Sequence, residues 1–184
     1  MLDKNWAPSH LAPARDVRKN RYGKSLVYFP SQKNHAQLIC ESHNEAEMCL
    51  ILEYLPAVIQ YYIQPVSHLY NDGNHTYKYT PDFFVHREDH DYFVELKGKP
   101  PNASGRYQHV LENFAAAASA QGYGFEVFAL SDFPVDETLD NLGLLYSRSY
   151  KVTAYEQRQL MRCLKEWTGP LTIALLLEHK PAPS

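Results

Sequence analysis

In the stretch YTPDFFVHREDHDYFVELKGK, residues 79–99, three charged residues interrupt two apolar runs: Asp82, Glu95 and Lys97. Burying a charge in a strand costs on the order of several kcal/mol unless it is paired or bound to a metal. If VHREDHDY reverses the chain and Val85 pairs with Tyr92, counting inward sets Asp82 opposite Glu95. Opposed residues of an antiparallel ladder share a face, with Cβ atoms about 5 Å apart. Lys97 shares that face because side chains alternate with period two, while Tyr92, Val94 and Leu96 point the other way.

Two facing carboxylates repel each other, and a cation between them turns the repulsion into binding. A hard divalent ion such as Mg²⁺ takes one or two carboxylates, waters and phosphate oxygens. A neighbouring lysine can then orient a water or neutralise charge developing on phosphorus. The same residues equally suit a surface-facing strand pair in which Lys97 simply neutralises Glu95, and the spacing alone leaves both readings open.

Several elements must hold this group in place. SLVYFPS and HAQLIC suggest one hairpin. Ser42 opens a predicted helix, SHNEAEMCLILEYL, with Glu45 three residues on in capping-box spacing. Glu45 falls on the helix stripe of Met48, Cys49 and Leu52, which should face a sheet. Pro56 ends that helix, AVIQYYIQPVSHLY follows as a strand, and NDGN is a turn. TYKYTPDFFV and DYFVELK are two more strands, KPPNASG a loop, YQHVLENFAAAASAQG a helix closed by Gly122, and YGFEVFAL a last strand. Strands, helix, strands, helix, strand make a mixed α/β layer design. The tail repeats the capping box at Thr153 and Glu156, and a GP break precedes LTIALLLE, which predicts a small appendage of two short helices.

The 184 residues suffice for one domain with its own core. No apolar leader follows the first basic residues, and Leu171–Leu177 is too short to span a bilayer, so a cytoplasmic protein without membrane contact is expected. The scattered Cys40, Cys49 and Cys163 suit free thiols rather than a disulfide frame or a zinc spacing. A net charge of −3 argues against binding nucleic acid by bulk charge alone. Residues 1–40, however, carry seven Lys and Arg against two Asp, a local +5 that leaves −8 elsewhere. Such asymmetry suits an end that meets phosphate, and it equally suits a solvated arm.

Pro81-Asp82 and Glu95-Leu96-Lys97 resemble the PD-(D/E)xK nuclease superfamily. The surrounding order is ESHNEAEMCLILEYLPAVIQYYIQP, YTPDFFV, VELKGK and then DNLGLLYSRSY. Over roughly residues 20–150 it is similar to the TnsA-type endonuclease subunit of heteromeric transposons. The resemblance implies a restriction-endonuclease-like mixed sheet flanked by helices, in three parts: a basic irregular arm (1–23), a nuclease domain (24–150) and a short helical C-terminal segment (151–184). It implies a catalytic set of Glu45, Asp82, Glu95 and Lys97. Mg²⁺, with Mn²⁺ able to substitute, would be held by Asp82, Glu95, the Leu96 carbonyl and Glu45. The implied reaction is cleavage of the 5′ strands at transposon ends. A DDE-type partner transposase would process the 3′ strands, and an AAA+ regulator would complete the machine. Arg18, Lys19, Arg21 and Lys99 are candidates for phosphate contact.

Alternatives stay open at this stage. Glu45 has a second job as a cap residue, and Glu47 could take its place. Another restriction or repair nuclease of the superfamily, or a degenerate scaffold subunit, carries the same pattern. His86 and His90 fall in the turn without a zincin spacing. The alternating tyrosines of QYYIQP and TYKYTP suit sheet packing, Arg106 suits a phosphate contact or a solvated loop, and Gln64 matches a family position.

Overall fold

A computed structural model describes residues 6–14, 26–71, 75–97, 105–132, 137–149 and 153–169. The chain divides into two compact units, 1–139 and 140–184. Among the described residues no helix is long and apolar enough to cross a membrane.

β1 (Val27–Ser31) and β2 (Ala36–Cys40) form the expected antiparallel hairpin. α1 (His43–Tyr54) starts at Ser42, whose Oγ accepts from the Glu45 N–H at 3.2 Å. The Glu45 carboxylate reaches past the cap and accepts from the Glu41 N–H at 2.7 Å. The helix stops before Pro56, whose ring disfavours helical backbone at the preceding residue, and Leu55 is extended. Lys33 Nζ then donates to the carbonyls of Leu52 (2.8 Å), Leu55 (2.5 Å) and Val58 (2.6 Å). A lysine from the hairpin turn thus caps two carbonyls that the helix end leaves open, Leu52 and Leu55, and ties them to the Val58 carbonyl beyond.

The run expected as a single strand to Tyr70 is two strands, β3 (Val58–Ile63) and β4 (His68–Asn71). Gln64 breaks it with φ +48°, and Pro65 has no N–H to continue a ladder. TYKYTPDFFV likewise divides into β5 (Thr76–Tyr79) and β6 (Phe83–Arg87), parted at Thr80-Pro81-Asp82. β4 and β5 pair as a separate two-stranded hairpin. β7 (Asp91–Lys97) follows, then α2 (Gly105–Ala120), β8 (Gly124–Ala129) and a 3₁₀ turn, Leu130–Asp132. The main sheet has the order β3-β6-β7-β8, antiparallel except for the parallel β7–β8 pair.

Phe83, Phe84 and Val85 are all buried, as are Tyr92, Phe93 and Val94, so both faces of the central β6–β7 pair are covered. On one face Phe84 and Phe93 join Tyr79, Leu111, Phe114, Ala118 and Trp6 in an aromatic core. On the other, Tyr61 stands opposite Val85 and donates from its hydroxyl to Glu53 of α1 at 2.8 Å. The expectation of a polar face over an apolar back is therefore met only at one end of the pair.

The N-terminal stretch 6–14 is irregular, as expected, yet it is anchored. Trp6 stacks on Phe114 with ring centroids 5.5 Å apart, and the Ala14 N–H donates to the Gln64 carbonyl at 2.8 Å. In the C-terminal part, α3 is Glu137–Ser149 and α4 is Ala154–Glu166. α4 opens on the complete Thr153–Glu156 capping box. The second tail helix expected at LTIALLLE lies outside the described residues.

Candidate active site

The β6–β7 register is the one counted from the turn: Val85 opposes Tyr92 and Phe83 opposes Val94. The next step, Asp82 opposite Glu95, is not a ladder pair, because β6 begins at Phe83 and Asp82 lies just outside it. Pro81 has no N–H to continue the pairing. The Asp82 carbonyl instead accepts from the Gln64 N–H at 2.8 Å, and its carboxylate Oδ2 accepts from the Leu96 N–H at 2.8 Å. A side chain thus replaces the missing backbone partner and sets one carboxylate against the end of β7.

Glu95 is 7% exposed and its two oxygens are separately engaged. Oε1 accepts from Lys97 Nζ at 2.8 Å and from the Tyr107 hydroxyl, while Oε2 accepts from the Tyr79 hydroxyl at 2.6 Å. Lys97 Nζ also donates to the Tyr107 oxygen and lies 3.7 Å from the centre of that ring. Glu95 and Lys97 sit side by side on the face that carries Phe93 toward α2, the carboxylate buried and the ammonium half-buried.

The Asp82 carboxyl is pushed up to about 7, chiefly by burial and then by the neighbouring charge of Glu95; Glu45 adds to the rise. The Leu96 N–H and the Lys97 charge act the other way without offsetting it. Glu45, 7% exposed on α1, is thus close enough for its charge to be felt at Asp82. Met48, Cys49 and Leu52 are buried beside it on the expected stripe, whereas Glu47 is only half-buried. Burial, followed by the Glu95 charge on its partner oxygens, raises the Tyr79 hydroxyl far above its ordinary range, and burial raises Tyr107 as well.

The structure therefore brings Asp82, Glu95, Leu96 and Lys97 together, with Glu45 at their edge. Arg18, Lys19, Arg21 and Lys99 lie outside the described residues. His86 Nδ1 meets Asp91 Oδ1 across the strands at 2.6 Å. His90 pairs with Asp89 at 3.0 Å.

Tyr79 and Tyr107 were not legible as site residues. Tyr79 does pack in the core as the strand alternation suggests, but its hydroxyl reaches Glu95 as well. Tyr107 carried no signal beyond its place in the first turn of α2.

Among the described residues, no group of three or more His, Cys, Asp and Glu is placed to hold a metal ion. Asp82 and Glu95 with a backbone carbonyl form a smaller set, of the kind Mg²⁺ completes with water and phosphate oxygens. The fit is electrostatic: a half-buried carboxyl raised to about 7 by desolvation and by a second carboxylate gains most from a divalent cation. No protein-family model matches the chain, and no curated protein matches its sequence.

Proposed function

We propose that this chain is a metal-dependent DNA endonuclease of the PD-(D/E)xK kind, acting as the TnsA-type subunit of a heteromeric transposition machine in the bacterial cytoplasm. The observation that carries the reading is the half-buried Asp82 carboxyl, raised to about 7 first by desolvation and then by the charge of the buried Glu95 beside it. Asp82, Glu95 and the Leu96 carbonyl would hold Mg²⁺, or Mn²⁺ in its place, with Glu45 at a second metal or its water. The ion, when bound, supplies charge neutralisation at the phosphodiester and polarises the attacking water.

Lys97 is held by Glu95 beside that position, where its ammonium orients the water and stabilises charge on the phosphate. Water adds its oxygen to phosphorus and the P–O3′ bond breaks. The departing oxygen takes a proton and becomes a 3′-hydroxyl, leaving a 5′-phosphate on the other fragment. The transposon-end specificity, the DDE-type transposase and the AAA+ regulator belong to this reading through the resemblance alone.

The test is Mn²⁺ titration by calorimetry of the wild type and Asp82→Asn, each with and without a short duplex. Cleavage of transposon-end DNA, with and without a partner transposase, follows. Binding lost in the variant supports the site. No binding by the wild type, even with DNA present, overturns the catalytic reading and leaves a scaffold of nuclease fold. Cleavage that needs no transposase points to a restriction or repair role.

A further inference from the structure

We propose that Tyr107 is the positioning residue for Lys97: its ring and hydroxyl together hold the ammonium against Glu95 and leave one N–H for the substrate. This rests on the endonuclease reading for its purpose, but its geometry stands on contacts of its own. An ammonium has three N–H donors and no acceptor. One of Lys97's goes to Glu95 Oε1 and one to the Tyr107 oxygen. The phenol has a single proton, and that proton goes to Glu95 Oε1. Lysine, tyrosine and glutamate thus close a ring of three hydrogen bonds, in which the ammonium and the phenol both donate to Glu95 Oε1 and the ammonium also donates to the phenol oxygen.

The ring of Tyr107 adds a second constraint, because Lys97 Nζ lies 3.7 Å from its centroid, where the π face attracts a cation. A lysine is otherwise a flexible point charge on a four-carbon stem. With two N–H groups and one side of the ammonium fixed, the third N–H has no acceptor among the described residues. It is the donor left for a phosphate oxygen or the attacking water. Tyr107 comes from the first turn of α2, so the helix that packs on Phe93 through Phe114 also sets the lysine.

The test separates ring, hydroxyl and reaction. The chain is labelled with ¹³C-lysine, and Lys97→Arg identifies the Lys97 signal. Its ε-methylene protons are expected upfield of the other lysines in the wild type and in Tyr107→Phe, which keeps the ring, and at the ordinary position in Tyr107→Leu. In Mn²⁺-dependent cleavage Tyr107→Phe is expected to lose about 10- to 100-fold in kcat, with KM for DNA unchanged, as misplacement of a reacting group does. An ordinary Lys97 shift in the wild type overturns the proposal whatever the nuclease result. A wild type that does cleave, but no better than Tyr107→Phe, overturns it too. An upfield Lys97 in a wild type that does not cleave at all supports the positioning and fails the nuclease reading instead.

Discussion

The Asp82 carboxylate accepts the Leu96 N–H at 2.8 Å, at the point where β6 stops pairing with β7. That one hydrogen bond fixes an acid against the backbone of the segment carrying Glu95 and Lys97. The lost ladder position thereby becomes a charged site rather than a frayed end.

Asp82 makes the fold sensitive to pH. Its carboxyl titrates at about 3.9 when unfolded and at about 7 when folded. Between those values the folded chain holds the extra proton, so stability is greatest at low pH and falls as pH rises toward 7. The loss is on the order of 2–4 kcal/mol. Urea unfolding at pH 4.5 and pH 8 should show this fall in the wild type and a flatter profile in Asp82→Asn. Mg²⁺ at pH 8 should restore stability to the wild type alone. Equal pH profiles for the two proteins would remove Asp82 as the cause.

Glu45 and Glu47 can be told apart by substitution. Glu45→Gln removes a buried charge near Asp82 while keeping an oxygen for the Glu41 N–H, so the fold should change by less than about 1 kcal/mol. Its Mn²⁺ affinity and cleavage should fall at least about tenfold, a loss of about 1.4 kcal/mol. Glu47→Gln, on a half-buried neighbour, should leave both within twofold. Parallel titrations decide this, and the reverse order of effects would move the helix site residue to Glu47.

The β6–β7 register was legible because a central strand pair alternates strictly, and a single turn sets every later partner. Where the ladder ends was not legible, since that depends on Pro81 and on the Gln64 N–H, which a different strand brings to the Asp82 carbonyl. The division of AVIQYYIQPVSHLY has the same origin: Gln64 takes a left-handed conformation that its residue type does not announce. Asp82, Glu95 and Lys97 stood out because charge is rare in such runs, and Glu45 through its capping-box spacing and the family resemblance. Tyr79 and Tyr107 did not, because a tyrosine in an apolar pattern reads the same whether its hydroxyl meets water or a buried carboxylate.

Trp6 is 5% exposed and contacts His68, Phe93 and Phe114, so the N-terminal stretch is part of the core it precedes. Trp6→Ala should cost about 3–5 kcal/mol, the usual loss for a large buried aromatic. Urea unfolding followed by circular dichroism measures it. A cost below about 1 kcal/mol would mean that the stretch lies loosely on the domain.

Lys33 joins the β1–β2 turn to the end of α1 through three carbonyls, Leu52, Leu55 and Val58. Burial lowers its pKa, and the Glu53 charge beside it acts in the opposite direction. Lys33→Met keeps much of the stem but removes the ammonium from these carbonyls, of which Leu55 keeps the Val58 N–H, and should cost about 1–3 kcal/mol in urea unfolding. Lys33→Arg keeps the charge but replaces a compact ammonium by a planar fork that cannot converge on three oxygens in the same way, so it should recover only part of the loss. Because α1 carries Glu45 at its other end, the Met variant should also weaken Mn²⁺ binding if the helix moves as a unit. Unchanged affinity in a destabilised variant would show that Glu45 is held by its own cap at Ser42 and Glu41, independent of the helix end.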